Sequence, residues 1–168
     1  MWYRRGAPVC RKGEPKIQRS ATQGLALAGV ALACALGAPP ARAVTKPDKR
    51  LLHLIDSTRR AHGLPALRDS PSLCRSADRQ SRYMLVHDRF GHLATIRASS
   101  RFSLKGEALA MYSGWRLRPH KVLRMWLHSP PHRALLLSRS FRFAGVGGVR
   151  GRFGSARMTA WTLHLGRL

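Results

Sequence analysis

Phe141-Arg142-Phe143-Ala144-Gly145-Val146-Gly147-Gly148-Val149 and, beyond a gap from Arg150 to Ser155, Arg157-Met158-Thr159-Ala160-Trp161-Thr162-Leu163-His164-Leu165 both alternate with a period of two. That period belongs to strands with one buried face. Gly151 and Gly154 lie in the gap, so the two segments are predicted to pair as an antiparallel hairpin. The residues before them follow helical spacing. Several helices followed by a terminal hairpin predict an α+β fold, with helices covering a small antiparallel sheet. Gly145-Val146-Gly147-Gly148 sits inside a strand pattern rather than ahead of a helix, so a phosphate-cradling loop is unsupported.

Upstream of the hairpin, Val122, Leu123, Trp126 and Leu127 form one apolar helical face. Pro130 and Pro131 stop that helix, and Ser129 is suited to cap a second short one carrying His132 in its first turn. The positive end of the helix dipole disfavours an imidazolium there. The segment from Leu104 to Trp115 is ambiguous, with Gly106 to Met111 compatible with the beginning of a short helix that carries Glu107 in its first turn. From His92 to Ser103 periodicity is lost, which predicts loop with at most one short strand. Asp69-Ser70-Pro71 opens a helix running to about Arg89, and an earlier helix spans about Pro47 to His62 before Gly63. Leu64-Pro65-Ala66-Leu67 reads as an extended link between the two.

The chain has 168 residues and a formal charge of +24, with a pI near 11.9. Its length suits one domain. Arginine recurs in every segment rather than in one dense block, and aromatic residues are few. Nucleic acid is therefore disfavoured as a partner, while membrane surfaces remain accessible through charge. Residues 1–43 read as a signal peptide: basic residues up to Arg19, an apolar run from Gly24 to Ala38, and Ala41-Arg42-Ala43 for cleavage. An uncleaved membrane anchor is the alternative. Removing this segment takes away seven basic residues and Glu14, leaving 24 Lys and Arg against six acids, a charge of +18. The expected product, residues 44–168, is exported to the periplasm or secreted, and is expected to be a monomer. It keeps only Cys74, read as a buried, inert thiol in a domain held by its core.

Glu107 is the only glutamate after residue 43. In so basic a background its carboxylate is expected to find a cation or an N–H donor. Of the histidines, His53, His62, His87 and His120 fall on polar faces or helix ends and read as solvated. His92, at a helix exit after Phe90-Gly91, and His132 are the better candidates. His128 and His132 are separated by prolines and share no continuous helical face, so an HExxH-type site is excluded. No Gly-x-Ser-x-Gly elbow or plausible Cys/His pair is present, which leaves triad chemistry without support.

In order along the chain, Leu54-Ile55-Asp56 with Gly63-Leu64, Phe90-Gly91-His92, Gly106-Glu107, Trp126 with Ser129-Pro130-Pro131-His132-Arg133, Gly145-Val146-Gly147 and Trp161-Thr162 resemble the bacterial branch of the CAP superfamily. This domain is shared by cysteine-rich secretory proteins, antigen 5 and plant pathogenesis-related class 1 proteins. The resemblance implies an α-β-α sandwich with a three-stranded antiparallel sheet, and a cleft that holds a zinc-type divalent cation in some members. It places His92, Glu107 and His132 in the cleft, as ligand-binding residues and as the candidate metal ligands. It also implies that a second histidine of eukaryotic members falls near Ala160 and is lost here. Ala108, Leu135 and Leu163 replace amides of the family pattern, weakening the surroundings that would orient a metal ligand. No catalytic residue is assigned and no cofactor is certain. A non-enzymatic module binding a lipid, envelope component or protein ranks ahead of a metal-assisted, protease-like hydrolase using His92, Glu107 and His132. A cationic binder of anionic polymers ranks third.

Overall fold

A computed structural model describes residues 45–168. The expected signal peptide and its cleavage site lie outside the described residues. Four helices and four strands follow in the order α1 (Lys46–Ala61), β1 (Arg68–Asp69), α2 (Pro71–Val86), β2 (Leu104–Ser113), α3 (Pro119–His128), α4 (Pro130–Leu136), β3 (Phe143–Phe153) and β4 (Ala156–Arg167). The sheet order is β1-β3-β4-β2. β3 and β4 form the expected antiparallel hairpin, with a tighter turn than the sequence suggested, at Gly154 (φ 56°). β2 pairs antiparallel along the other side of β4. The small antiparallel sheet gains a fourth member, β1, which runs parallel to β3 through only two residues and makes the sheet mixed.

Helix α2 covers one face of this sheet, and α1, α3 and α4 cover the other, giving an α-β-α sandwich. Alternation along the strands builds both layers. Ala144, Val146, Trp161, Leu163 and Leu165 meet Leu51, Leu52 and Ile55 of α1 and Val122 and Trp126 of α3. Leu109, Val149 and Ala160 point the other way, to Met84 and Leu85 of α2. The Trp126 indole N–H donates to the Leu109 carbonyl at 2.9 Å, joining α3 to β2.

The segment from Leu104 to Ser113 is a strand, not the short helix compatible with its sequence. Gly-Glu-Ala-Leu-Ala-Met suits a helix locally, yet ten ladder pairings with β4 and burial of Ala108, Leu109, Ala110 and Tyr112 outweigh propensity. The glycines of β3 have a packing role. A Cβ at Gly145 would enter the backbone at Leu73 and Cys74, and one at Gly147 would enter it at Ala77 and Asp78. Their hydrogens let α2 settle directly on the sheet. Ser81 fixes the same approach, its hydroxyl lying 2.7 Å from the Gly147 carbonyl and 2.9 Å from Thr162 Oγ1.

Helix starts follow the sequence signals. Thr45 and Asp48 form a capping box on α1, and the other carboxylate oxygen of buried Asp48 accepts the Gly148 N–H at 3.0 Å. Ser70 caps α2. Ser129 occupies the cap position of α4 without a side-chain cap bond; its hydroxyl meets His132 instead. Arg59 is fully buried and donates to the carbonyls of Pro65, Leu136 and Ser138, tying α1 to the end of α4. Cys74 is buried, as expected.

Two substitutions test this framework by chemical denaturation. Gly147→Ala is expected to cost about 3 kcal/mol, because helix backbone cannot yield as a side chain can. Arg59→Ala is expected to cost roughly 3 kcal/mol, because the buried Leu136 carbonyl and the part-buried Pro65 and Ser138 carbonyls all lose this donor. Arg59→Lys should recover only part of that, since an ammonium cannot reproduce the guanidinium fork.

Candidate functional site

Glu107 lies on β2 directly opposite His164 of β4. Both point to the α2 side of the sheet, the side that Leu109 and Ala160 also face. His164 Nε2 donates to Glu107 Oε2 at 2.6 Å, and His92, from the loop after α2, donates through Nδ1 to Oε1 at 2.6 Å. The Glu107 and His164 side chains are 8% and 2% exposed, whereas that of His92 is 61% exposed. One carboxylate thus joins a buried strand histidine to a histidine at the surface.

Burial by itself would raise the Glu107 pKa. The hydrogen bonds from His164 and His92, reinforced by their charges, outweigh it and hold the carboxyl below its ordinary range. Glu107 is therefore kept ionised, with both oxygens engaged. His132 hydrogen-bonds Ser129 Oγ through Nδ1 at 2.9 Å and shares no hydrogen bond with Glu107. Its pKa is lowered, as its position in a helix first turn suggested, but the causes are burial first and then the charge of His92.

The structure thus brings His92 and Glu107 together and leaves His132 nearby without a shared hydrogen bond. Sequence reasoning missed His164. The position near Ala160 was expected to leave the cleft without a second histidine, and His164 supplies one four residues further on, on the same face of β4. The detectable signal was strand parity. Once β2 is recognised as a strand, a polar residue amid Trp161, Leu163 and Leu165 must face away from their core. Ala108 and Leu163, two residues standing in for amides, are fully buried in the opposite layer and give Glu107 no support.

Among the described residues, no three His, Cys, Asp or Glu side chains are grouped to hold a metal ion. With both Glu107 oxygens bonded to histidine N–H groups, the side chains as placed do not fit a zinc-type cation. Beside them a cleft of about 470 Å³ opens between α2 and the loop after it. Tyr83, Val86, Leu93 and Ile96 supply apolar surface, and Arg79, Arg82 and Arg97 supply charge. Arg79 donates to the Arg97 carbonyl at 2.6 Å, and Gln80 to the Gly91 carbonyl at 2.9 Å, so α2 holds the loop at two points.

Residues 52–165 match the family described as the Cysteine-rich secretory protein family, CAP. The chain belongs to the CAP family. An extracellular protein of Bacillus anthracis containing an SCP domain has the same CAP fold, with a TM-score of 0.58, 24% identity and 73% of this chain covered. This chain spans only 40% of that protein. An outer surface protein of Borrelia burgdorferi gives a TM-score of 0.57 at 21% identity, covering 76% of this chain and 97% of its own. Venom allergen-like protein 4 of Schistosoma mansoni gives 0.57 at 11% identity, with 74% and 91% covered. No curated protein matches by sequence.

The CAP-domain carboxylate has a pH signature. A folded-state pKa below the unfolded one makes Glu107 stabilising above the unfolded carboxylate range, with that stabilisation lost as pH falls through the folded value. In His164→Ala the buried carboxyl loses its larger partner. Its pKa, followed by carboxyl carbon NMR, is expected to rise, and acid unfolding should begin at a correspondingly higher pH. An unchanged titration would show that His164 does not hold the charge.

Proposed function

We propose that this CAP domain is an exported, non-enzymatic binding module that takes up an amphipathic, lipid-like ligand in the cleft between α2 and the 92–103 loop. The observation that carries this is the pairing of an apolar wall with an occupied carboxylate. Tyr83, Val86, Leu93 and Ile96 offer a surface for an alkyl or ring system. Arg79, Arg82 and Arg97 stand at the same cleft for an acidic head group. Glu107 is held as an anion with both oxygens bonded, which suits it to ordering the cleft floor and leaves it poorly placed as a general base. Export is supported by the leader-like residues 1–43, by CAP membership, and by the likeness of the fold to an extracellular and an outer surface protein.

The ligand assignment is tested with residues 44–168, which carry every helix and strand described. Native mass spectrometry after incubation with an envelope lipid extract should show a retained amphiphile. Val86→Asp with Leu93→Asp should weaken retention at least about tenfold, since both side chains contribute apolar wall. Failure to retain any lipid, or a peptide- or ester-hydrolysing activity abolished by Glu107→Gln, would replace binding with another function. The export assignment is tested separately by sequencing the N-terminus of the protein recovered outside the cytoplasm. The expected first residue is Val44; a start anywhere else would overturn this cleavage.

A further inference from the structure

At the end of the sheet where β2 stops, the chain turns through Gly114 (φ 110°) and presents Trp115 to solvent, 43% exposed. The turn is rigidly held. The Gly114 N–H donates to the Arg157 carbonyl at 2.8 Å, and its carbonyl accepts the Thr159 hydroxyl at 2.7 Å. Buried Tyr112 holds the other side, its hydroxyl donating to the Arg116 carbonyl at 2.7 Å and accepting the Arg118 N–H at 2.9 Å and the Trp161 indole N–H at 3.2 Å. Beneath the turn is a hollow of about 250 Å³ bordered by Tyr112, Trp115, Arg116, Arg118 and Lys121.

Cations surround this tryptophan. Lys121 Nζ lies 4.5 Å from the Tyr112 ring centroid, the Arg157 guanidinium lies 5.8 Å from that of Trp115, and Arg150 reaches the Trp115 carbonyl at 3.5 Å. Among the described residues no carboxylate forms a salt bridge with Arg116, Arg118, Lys121, Arg150 or Arg157. Five basic groups are therefore assembled about an exposed indole on a pinned turn, with no carboxylate among the described residues ion-paired to any of them. This arrangement favours an external anion with apolar surface beside it.

We infer that this corner docks the domain on an anionic membrane surface, with acidic phospholipid head groups meeting Arg116, Arg118 and Lys121 and the Trp115 indole entering the interfacial layer. An indole has an apolar body and a polar N–H, which suits it to the boundary between head groups and chains. Juxtamembrane cations each add to the attraction of an anionic leaflet. A single exposed aromatic provides no succession of stacking platforms, so single-stranded nucleic acid is the weaker match. The corner is formed by β2, α3 and the β3–β4 hairpin, apart from the α2 cleft, and docking there would leave the cleft free to exchange ligand.

The test is sedimentation of residues 44–168 with vesicles of phosphatidylglycerol and phosphatidylcholine in equal parts, against pure phosphatidylcholine vesicles. Binding is expected only to the former and should fall with added salt. The triple substitution R116A/R118A/K121A should weaken it on the order of 100-fold. Trp115→Ala, which leaves the charge unchanged, should weaken it about tenfold, with the thermal melt confirming that each variant is folded. The triple control R60A/R101A/R139A removes the same charge near the opposite end of the sheet and should change binding by less than about threefold. An equal loss in this control, or no loss in Trp115→Ala, would reduce the attraction to diffuse charge and overturn the site. Competition by soluble glycerol phosphate at matched phosphate concentration would reassign the pocket to a free phosphate. Preferential release by single-stranded DNA would reassign it to nucleic acid.

Discussion

Helix α2 can lie on β3 only because Gly145 and Gly147 present no side chain towards it. Any larger residue would occupy space already filled by the helix backbone at Leu73, Cys74, Ala77 and Asp78. The close seating brings Ser81 within reach of Gly147 and Thr162 and sets Met84 and Leu85 against Leu109, Val149 and Ala160. It also determines where α2 ends, and so where His92 emerges. The site inherits its geometry from that packing: a helix displaced outward would carry the loop, and His92 with it, away from Glu107.

The second condition is cross-strand register. Glu107 faces His164 because β2 pairs with β4 over its whole length, and a slip of one residue would turn Glu107 into the core beside Val122 and Trp126. A buried carboxylate without partners would take up a proton; with two histidine donors it remains an anion. The same pairing carries Ser113 to Met158 and so forms the turn that presents Trp115. Cleft and basic corner are thus opposite products of one ladder, one near its beginning and one at its end.

CAP membership gives the fold and a general location for the site, and the particular residues qualify what the family pattern suggested. The amides absent at Ala108 and Leu163 are replaced by side chains that complete the apolar layer under α1 and α3. What remains on the α2 side is a carboxylate satisfied by histidines next to an apolar wall. Under the proposed function that set of groups orders a binding surface, and the inferred docking of the basic corner would bring that surface to an anionic membrane.

Period-two alternation in the last two strands, the α3 stripe of Val122 and Trp126, the helix start at Asp69-Ser70-Pro71, and the ordered motifs ending in Trp161-Thr162 determined the α+β class and the family resemblance by themselves, because these signals are local. They also identified His92 and Glu107 as candidates. The sequence alone left the Leu104–Ser113 segment undecided, because its residues suit a helix as well as a strand and only pairing with β4 selects one. That ambiguity concealed His164, whose role depends on which strand lies beside it. The basic corner was equally hidden: Arg116, Arg118, Lys121, Arg150 and Arg157 are dispersed along the chain, and only the antiparallel pairing of β2, β3 and β4, with α3 packed against β2, gathers them around Trp115.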